Sequence, residues 1–113
     1  SLELETETVH AGVDFAIPFG LVVNELVTNA FKHARPEDGA THVSVKLGVE
    51  PGGTVLVVSD NGPGLPENFD ASQSSSLGMD LVHSLVEQLH GTIDYDFDEG
   101  ARWRVVIPPA GGR

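Results

Sequence analysis

Apolar and polar residues alternate over Leu2–Thr8, the two-residue period of a half-buried strand. After the polar turn Ala11–Asp14, Pro18 stands where a first helical residue would. From there Phe19, Val22, Val23, Leu26, Val27, Ala30 and Phe31 recur at helical spacing, which predicts a helix to about His33. Arg35-Pro36-Glu37-Asp38-Gly39 breaks it. Two runs, Thr41–Val49 and Thr54–Asp60, joined by Glu50-Pro51-Gly52-Gly53, predict an antiparallel hairpin. A long Gly- and Ser-rich loop, Asn61–Ser76, comes next, of a length that inside a compact domain usually serves function or motion. Leu81, Val82, Leu85, Val86 and Leu89 predict a second helix. Gly91–Phe97 and Ala101–Pro108 predict a second hairpin around Asp98-Glu99-Gly100. Pro109–Arg113 reads as a frayed tail, which leaves residues 1–108 as the domain.

The order strand, helix, two strands, helix, two strands predicts an α+β fold: a two-layer sandwich whose mixed, mostly antiparallel sheet is covered on one face by helices. At 113 residues there is room for one domain and one core. No run approaches the ~18–20 apolar residues that a bilayer span requires, and the start has neither a basic nor an apolar signal region. There is no cysteine, hence no disulfide and no thiolate metal site. Six Lys and Arg against 17 Asp and Glu give a net charge of −11, a surface that repels nucleic acid and anionic lipid. A phosphate ligand would need local help from a divalent ion, a helix N-terminus or a well-placed lysine.

Three segments carry candidate chemistry. At ~100° per residue, Glu25, Asn29, Lys32 and His33 fall within an arc of roughly 100° beside the apolar face of the first helix. Each also has an ordinary reading, as a solvated charge, an exposed amide or a helix-end histidine. The strand Val55–Val58 runs into Ser59-Asp60-Asn61-Gly62-Pro63-Gly64, where two glycines let a ligand approach the backbone and Asp60 offers a fixed acceptor. The same residues also make a plain turn. Ser74-Ser75-Ser76-Leu77-Gly78-Met79 opens the second helix, as a cap, as a phosphate site, or with Gly78 allowing close helix packing.

Together and in this order, the three segments resemble the GHKL (Bergerat-fold) ATP-binding domain, HATPase_c, of sensor histidine kinases. Asn24-Glu25-Leu26-Val27-Thr28-Asn29-Ala30-Phe31-Lys32-His33 is similar to the family's N box, Asp60-Asn61-Gly62-Pro63-Gly64 to its G1 box, and Ser76-Leu77-Gly78-Met79 to a shortened G2 box. The closing strand Gly100–Pro108 also resembles the family's, and the wording is most like the HWE/HisKA_2 branch. The resemblance implies ATP and Mg²⁺ as ligands, with Asn29 on the metal and Glu25 as general base. It implies Lys32 and His33 near the phosphates or ribose. Asp60 would accept from the adenine amino group, with Gly62 and Gly64 shaping the pocket. Ser75, Ser76, Leu77 and Gly78 would contact phosphate from the lid. Two departures stand out: the G2 box lacks its first glycine, and Ala101 stands where many relatives carry Thr or Ser.

The family's phosphoacceptor histidine lies on a helical dimerisation segment upstream. His10, His42, His83 and His90 flank strands or line the polar side of the second helix and read as surface residues. The expectation is therefore a cytoplasmic protein histidine kinase domain cut from a longer parent that is soluble or membrane-anchored. Its partners would be ATP, the parent's phosphoacceptor domain and, indirectly, a response regulator, without direct membrane contact. The rivals are an anti-sigma-factor-type serine kinase of the same superfamily and a non-catalytic nucleotide-dependent interaction module.

Overall fold

The computed structural model describes residues 2–6, 13–33, 41–62, 77–97 and 100–109. They form strand β1 (Leu2–Thr6), helix α1 (Val13–His33), strands β2 (Val43–Glu50) and β3 (Gly53–Asp60), helix α2 (Leu77–Gln88), and strands β4 (Thr92–Phe97) and β5 (Ala101–Ile107). The sheet order is β1-β2-β3-β5-β4. β1 runs parallel to β2, the arrangement that a helical crossover makes possible, and every other pair is antiparallel.

Strand register explains why the fold has two layers. Val45, Val58, Trp103 and Tyr95 share one cross-strand row, and Leu47, Leu56, Val105 and Ile93 share the next. These rows face the helices. Phe15, Phe19, Val22, Leu26 and Ala30 of α1, with Met79, Val82, Leu85, Val86 and Leu89 of α2, close the core over them. The alternate rows are polar apart from Val57: Lys46, Val57, Arg104 and Asp94, then Ser44, Ser59, Arg102 and Asp96. An antiparallel sheet with one solvated face has this alternation. The expected α+β sandwich is thus the observed one.

Two details differ from the sequence reading. α1 begins at Val13, so Pro18 lies inside the helix rather than at its start. The apolar stripe extends one turn further back than Phe19: Phe15 stacks on Phe19 with ring centroids 4.9 Å apart, and both are buried. That burial outweighs the one main-chain hydrogen bond a proline forfeits here. Phe31 and Leu81, counted with the apolar faces, are 41% and 39% exposed.

α2 ends in a tight cap. His90 takes a left-handed φ of 61°, its N–H donates to the Glu87 carbonyl at 3.0 Å, and the Gly91 N–H donates to the Val86 carbonyl at 2.9 Å. This pair of reversed bonds satisfies carbonyls that the helix end leaves open, with a histidine at the position glycine usually fills.

Candidate functional site

Glu25 and Asn29 lie one turn apart on α1 and are half-buried. Both face the beginning of α2. A β-carbon placed on Gly78 would sit 2.6 Å from Glu25 Oε2 and 3.7 Å from Asn29 Nδ2. The amphipathic spacing of α1 produces this: Leu26 and Ala30 commit one face to the core, which leaves 25 and 29 on the rim where α2 packs. An acid and an amide are therefore presented side by side against the start of a second helix.

Asp60 closes β3. It follows Leu56 and Val58 at alternate positions, so it points to the helix-covered side of the sheet, half-buried at its end. The Gly62 N–H donates to Asp60 Oδ1 at 2.8 Å. That bond fixes the carboxylate, and no described residue engages Oδ2, which stays available to a donor.

Two neighbouring strands brace this turn. The Asn61 N–H donates to the His42 carbonyl at 3.2 Å, and Asn61 Oδ1 accepts from the His42 N–H at 2.9 Å. On the other side Gly100 runs so close that a β-carbon there would strike the Asp60 carbonyl. Asn61 braces this turn, a role that sequence reasoning did not assign to it. An asparagine in a turn signals local hydrogen bonding, but its partner lies 19 positions away and is visible only once β2 and β3 pair. Ala101, buried beside the turn, begins the strand that flanks Asp60.

Of the expected site residues, Glu25, Asn29 and Gly78 are brought into one cluster, and Asp60 and Gly62 into a second on the same side of the sheet. Lys32 and His33 fall in the last turn of α1, and Leu77 is the first residue of α2. Their side chains, like Gly64, Ser75 and Ser76, lie outside the described residues. Among the described residues no group of three or more His, Cys, Asp or Glu could hold a metal ion. A site that relies on one amide oxygen, with the remaining ligands from phosphates and water, suits Mg²⁺, a hard ion that keeps several waters. The side-chain amide of Asn29 fits that demand.

The described cations lie elsewhere. Lys46, Arg102 and Arg104 belong to the polar rows on the far face of the sheet, around a shallow concavity that Asp94 and Asp96 also line. Arg102 forks onto Asp96, Nε to Oδ1 at 2.8 Å and a terminal nitrogen to Oδ2 at 2.7 Å. These bonds, helped by the guanidinium charge and only partly opposed by desolvation, hold the Asp96 carboxyl below its ordinary range. Arg104 stands 3.5 Å from Glu50.

Comparison with known proteins gives this geometry a context. A family model described as histidine kinase-, DNA gyrase B- and HSP90-like ATPase matches residues 16–111. Blue-light-activated histidine kinase 2 of Erythrobacter litoralis is 34% identical over 89 residues, covering 78% of this chain and 26% of that protein. The sensor histidine kinase PdtaS of Mycobacterium tuberculosis is 39% identical over 83 residues, covering 71% of this chain and 16% of its own length. The chain thus spans about a quarter or less of these relatives. Among solved structures, the histidine kinase domain of the Erythrobacter litoralis EL346 blue-light activated histidine kinase superposes with a TM-score of 0.86. It is 29% identical and covers 95% of this chain and 50% of that one.

Proposed function

Since the chain belongs to the histidine kinase-, DNA gyrase B- and HSP90-like ATPase family, we propose that it is the ATP-binding catalytic domain of a sensor histidine kinase. In this reading it moves the γ-phosphoryl group of ATP to a histidine on a separate dimerisation and phosphoacceptor domain of its parent. The observation that carries the reading is the placement of Glu25 and Asn29, an acid and an amide one turn apart, against the first turn of α2.

The residues divide the work by their chemistry. Asp60, with one oxygen held by the Gly62 N–H, uses the other to accept from the exocyclic amine of adenine. Guanine, with a carbonyl there, is refused. The side-chain oxygen of Asn29 would hold Mg²⁺, which when bound neutralises phosphate charge. Lys32 adds positive charge at the phosphates, and His33 contacts phosphate or ribose. Gly64, Ser75, Ser76, Leu77 and Gly78 complete the lid and pocket. Glu25 accepts the proton of the incoming imidazole as its nitrogen bonds to the γ-phosphorus. The bond to the β,γ-bridging oxygen breaks in line, and ADP leaves with the electron pair. The phosphohistidine then supplies a response regulator. ATP chemistry of this kind belongs to the cytoplasm. No helix among the described residues is long and apolar enough to cross a membrane.

The named relatives are sensor histidine kinases, and no observation favours the serine-kinase or purely switch-like rivals. The deciding experiment incubates the chain with γ-labelled ATP and the parent's phosphoacceptor domain, then tests the product for acid lability. Asn29→Ala should remove Mg²⁺-dependent binding. Glu25→Gln should slow transfer about a hundredfold or more beyond any loss of binding, the lower end of general-base catalysis. An acid-stable product, or equal losses of transfer and binding in Glu25→Gln, refutes the assignment.

A further inference from the structure

We propose that Gly78 is a positioning residue for phosphoryl transfer, because its missing side chain is the space in which the Glu25 carboxylate is held. The inference rests on the histidine kinase reading above and adds to it a steric role distinct from any main-chain contact to phosphate.

A glycine near the start of a helix needs a reason, since alanine is the better helix former. Conformation is not the reason here: the glycines with positive φ among the described residues are Gly53 and Gly100, and Gly78 is not one of them. Space is. Outside its chain neighbours and α2's own backbone, the three atoms nearest a β-carbon at position 78 are Glu25 Oε2 at 2.6 Å, Asn29 Nδ2 at 3.7 Å and Glu25 Cδ at 3.7 Å. All three belong to the two polar residues of α1, and none is backbone.

Those distances decide what an added methyl group would do. The contact to Asn29 is ordinary van der Waals distance and can stay. The contact to Glu25 cannot, and the atom that must yield is the free end of a flexible side chain. The fold therefore survives, and the displacement falls on the carboxylate alone. Met79 and Val82, which seat α2 in the core, are untouched by the change. Gly78 thus ties the placement of the base to the seating of α2: with α2 docked, position 78 leaves open the space that the Glu25 carboxylate occupies.

The test is Gly78→Ala, made in the parent chain and again in a Glu25→Ala background. In the parent, Gly78→Ala keeps the main-chain groups of position 78, so its affinity for Mg-AMPPNP, measured by calorimetry, should fall less than its transfer rate. The substitution should slow transfer from γ-labelled ATP to the parent's phosphoacceptor domain about tenfold or more, the scale on which a misplaced reacting group is felt. In the Glu25→Ala background no carboxylate opposes the new methyl group. There Gly78→Ala should raise Tm by about 2–4 °C, and with Glu25 in place by distinctly less. The proposal is overturned by transfer at the original rate, by an affinity loss as large as the transfer loss, or by equal Tm shifts in the two backgrounds. If the unsubstituted chain transfers nothing to the acceptor, the kinase reading fails, and the role of Gly78 in transfer falls with it. The Tm comparison then still decides whether positions 25 and 78 are sterically coupled.

Discussion

Asn61→Ala is the substitution that best separates the bracing of the Asp60 turn from the chemistry of the pocket. Asn61 holds the start of β2 through two bonds to His42, one from its main chain and one from its side chain at 2.9 Å. Alanine keeps the first and removes the second. The orphaned His42 N–H lies at an exposed position, so water replaces the lost acceptor and no buried donor is stranded. The cost is then at the lower end for a hydrogen bond, about 0.5–1 kcal/mol. Unfolding entropy of about 2.1 cal/mol/K per residue makes about 0.24 kcal/mol/K for 113 residues, so Tm should fall by about 2–4 °C. The loosened turn also carries the Gly62 N–H that fixes Asp60. Affinity for Mg-AMPPNP should drop by a few-fold, with about fivefold as the ceiling that a loss of about 1 kcal/mol sets. Calorimetric melts and nucleotide titrations of the parent, Asn61→Ala and Asn61→Asp measure both effects. Aspartate retains an acceptor oxygen and should restore most of the Tm. Parent-like Tm and affinity in Asn61→Ala, or an aspartate variant no better than alanine, would refute the brace.

Three further outcomes follow from other contacts. His90→Gly relieves a left-handed φ of 61° in a non-glycine residue, a strain of about 1–2 kcal/mol, partly offset by glycine's greater unfolded freedom; Tm should rise by about 2–4 °C in a thermal melt. Asp96→Asn removes an acceptor whose folded pKa is depressed. The parent's stability advantage should be complete above about pH 4–5, vanish as pH falls through the lowered folded value, and show in melts run across that range. Removing divalent ions with EDTA should weaken ATP binding about tenfold or more while leaving adenosine binding unchanged, measured by paired calorimetric titrations.

Most of the architecture was legible because hydrophobic period and turn chemistry agree along the chain. The runs Thr41–Val49 and Thr54–Asp60, joined by Glu50-Pro51-Gly52-Gly53, point to the hairpin that forms over Val43–Glu50 and Gly53–Asp60. The start of α1 was misplaced for a physical reason: proline favours a first helical turn, but the stacking of Phe15 on Phe19 extends the helix past it. The candidate site was legible where its spacing is local, as with Glu25 and Asn29 one turn apart. It was hidden where two distant segments meet. The His42–Asn61 brace and the approach of Gly100 to Asp60 depend on strand pairing across 19 and 40 positions. The contact of Gly78 with Glu25 depends on α1–α2 packing, which no periodicity states.

The placement of charge explains why a nucleotide reading and an acidic protein are compatible. Lys46, Arg102 and Arg104 are half of the chain's six Lys and Arg, and register puts all three on the solvated face of the sheet. There Arg102 is committed to Asp96 and Arg104 faces Glu50, so these cations neutralise local carboxylates instead of reaching a ligand on the helix side. The helix side of the described structure presents Glu25 and Asp60, which repel a triphosphate at close range. A domain built this way can hold ATP only if positive charge arrives with the ligand or from the end of α1, where Lys32 sits. That requirement separates the two halves of the nucleotide. In the proposed function adenosine meets Asp60 and an apolar wall and needs no ion, whereas the phosphates meet Glu25 and Asn29 and do. The difference between the two titrations in EDTA therefore measures the electrostatic design of the pocket directly. Adenosine and ATP weakening together on chelation would mean that the metal supports the fold and not the phosphates.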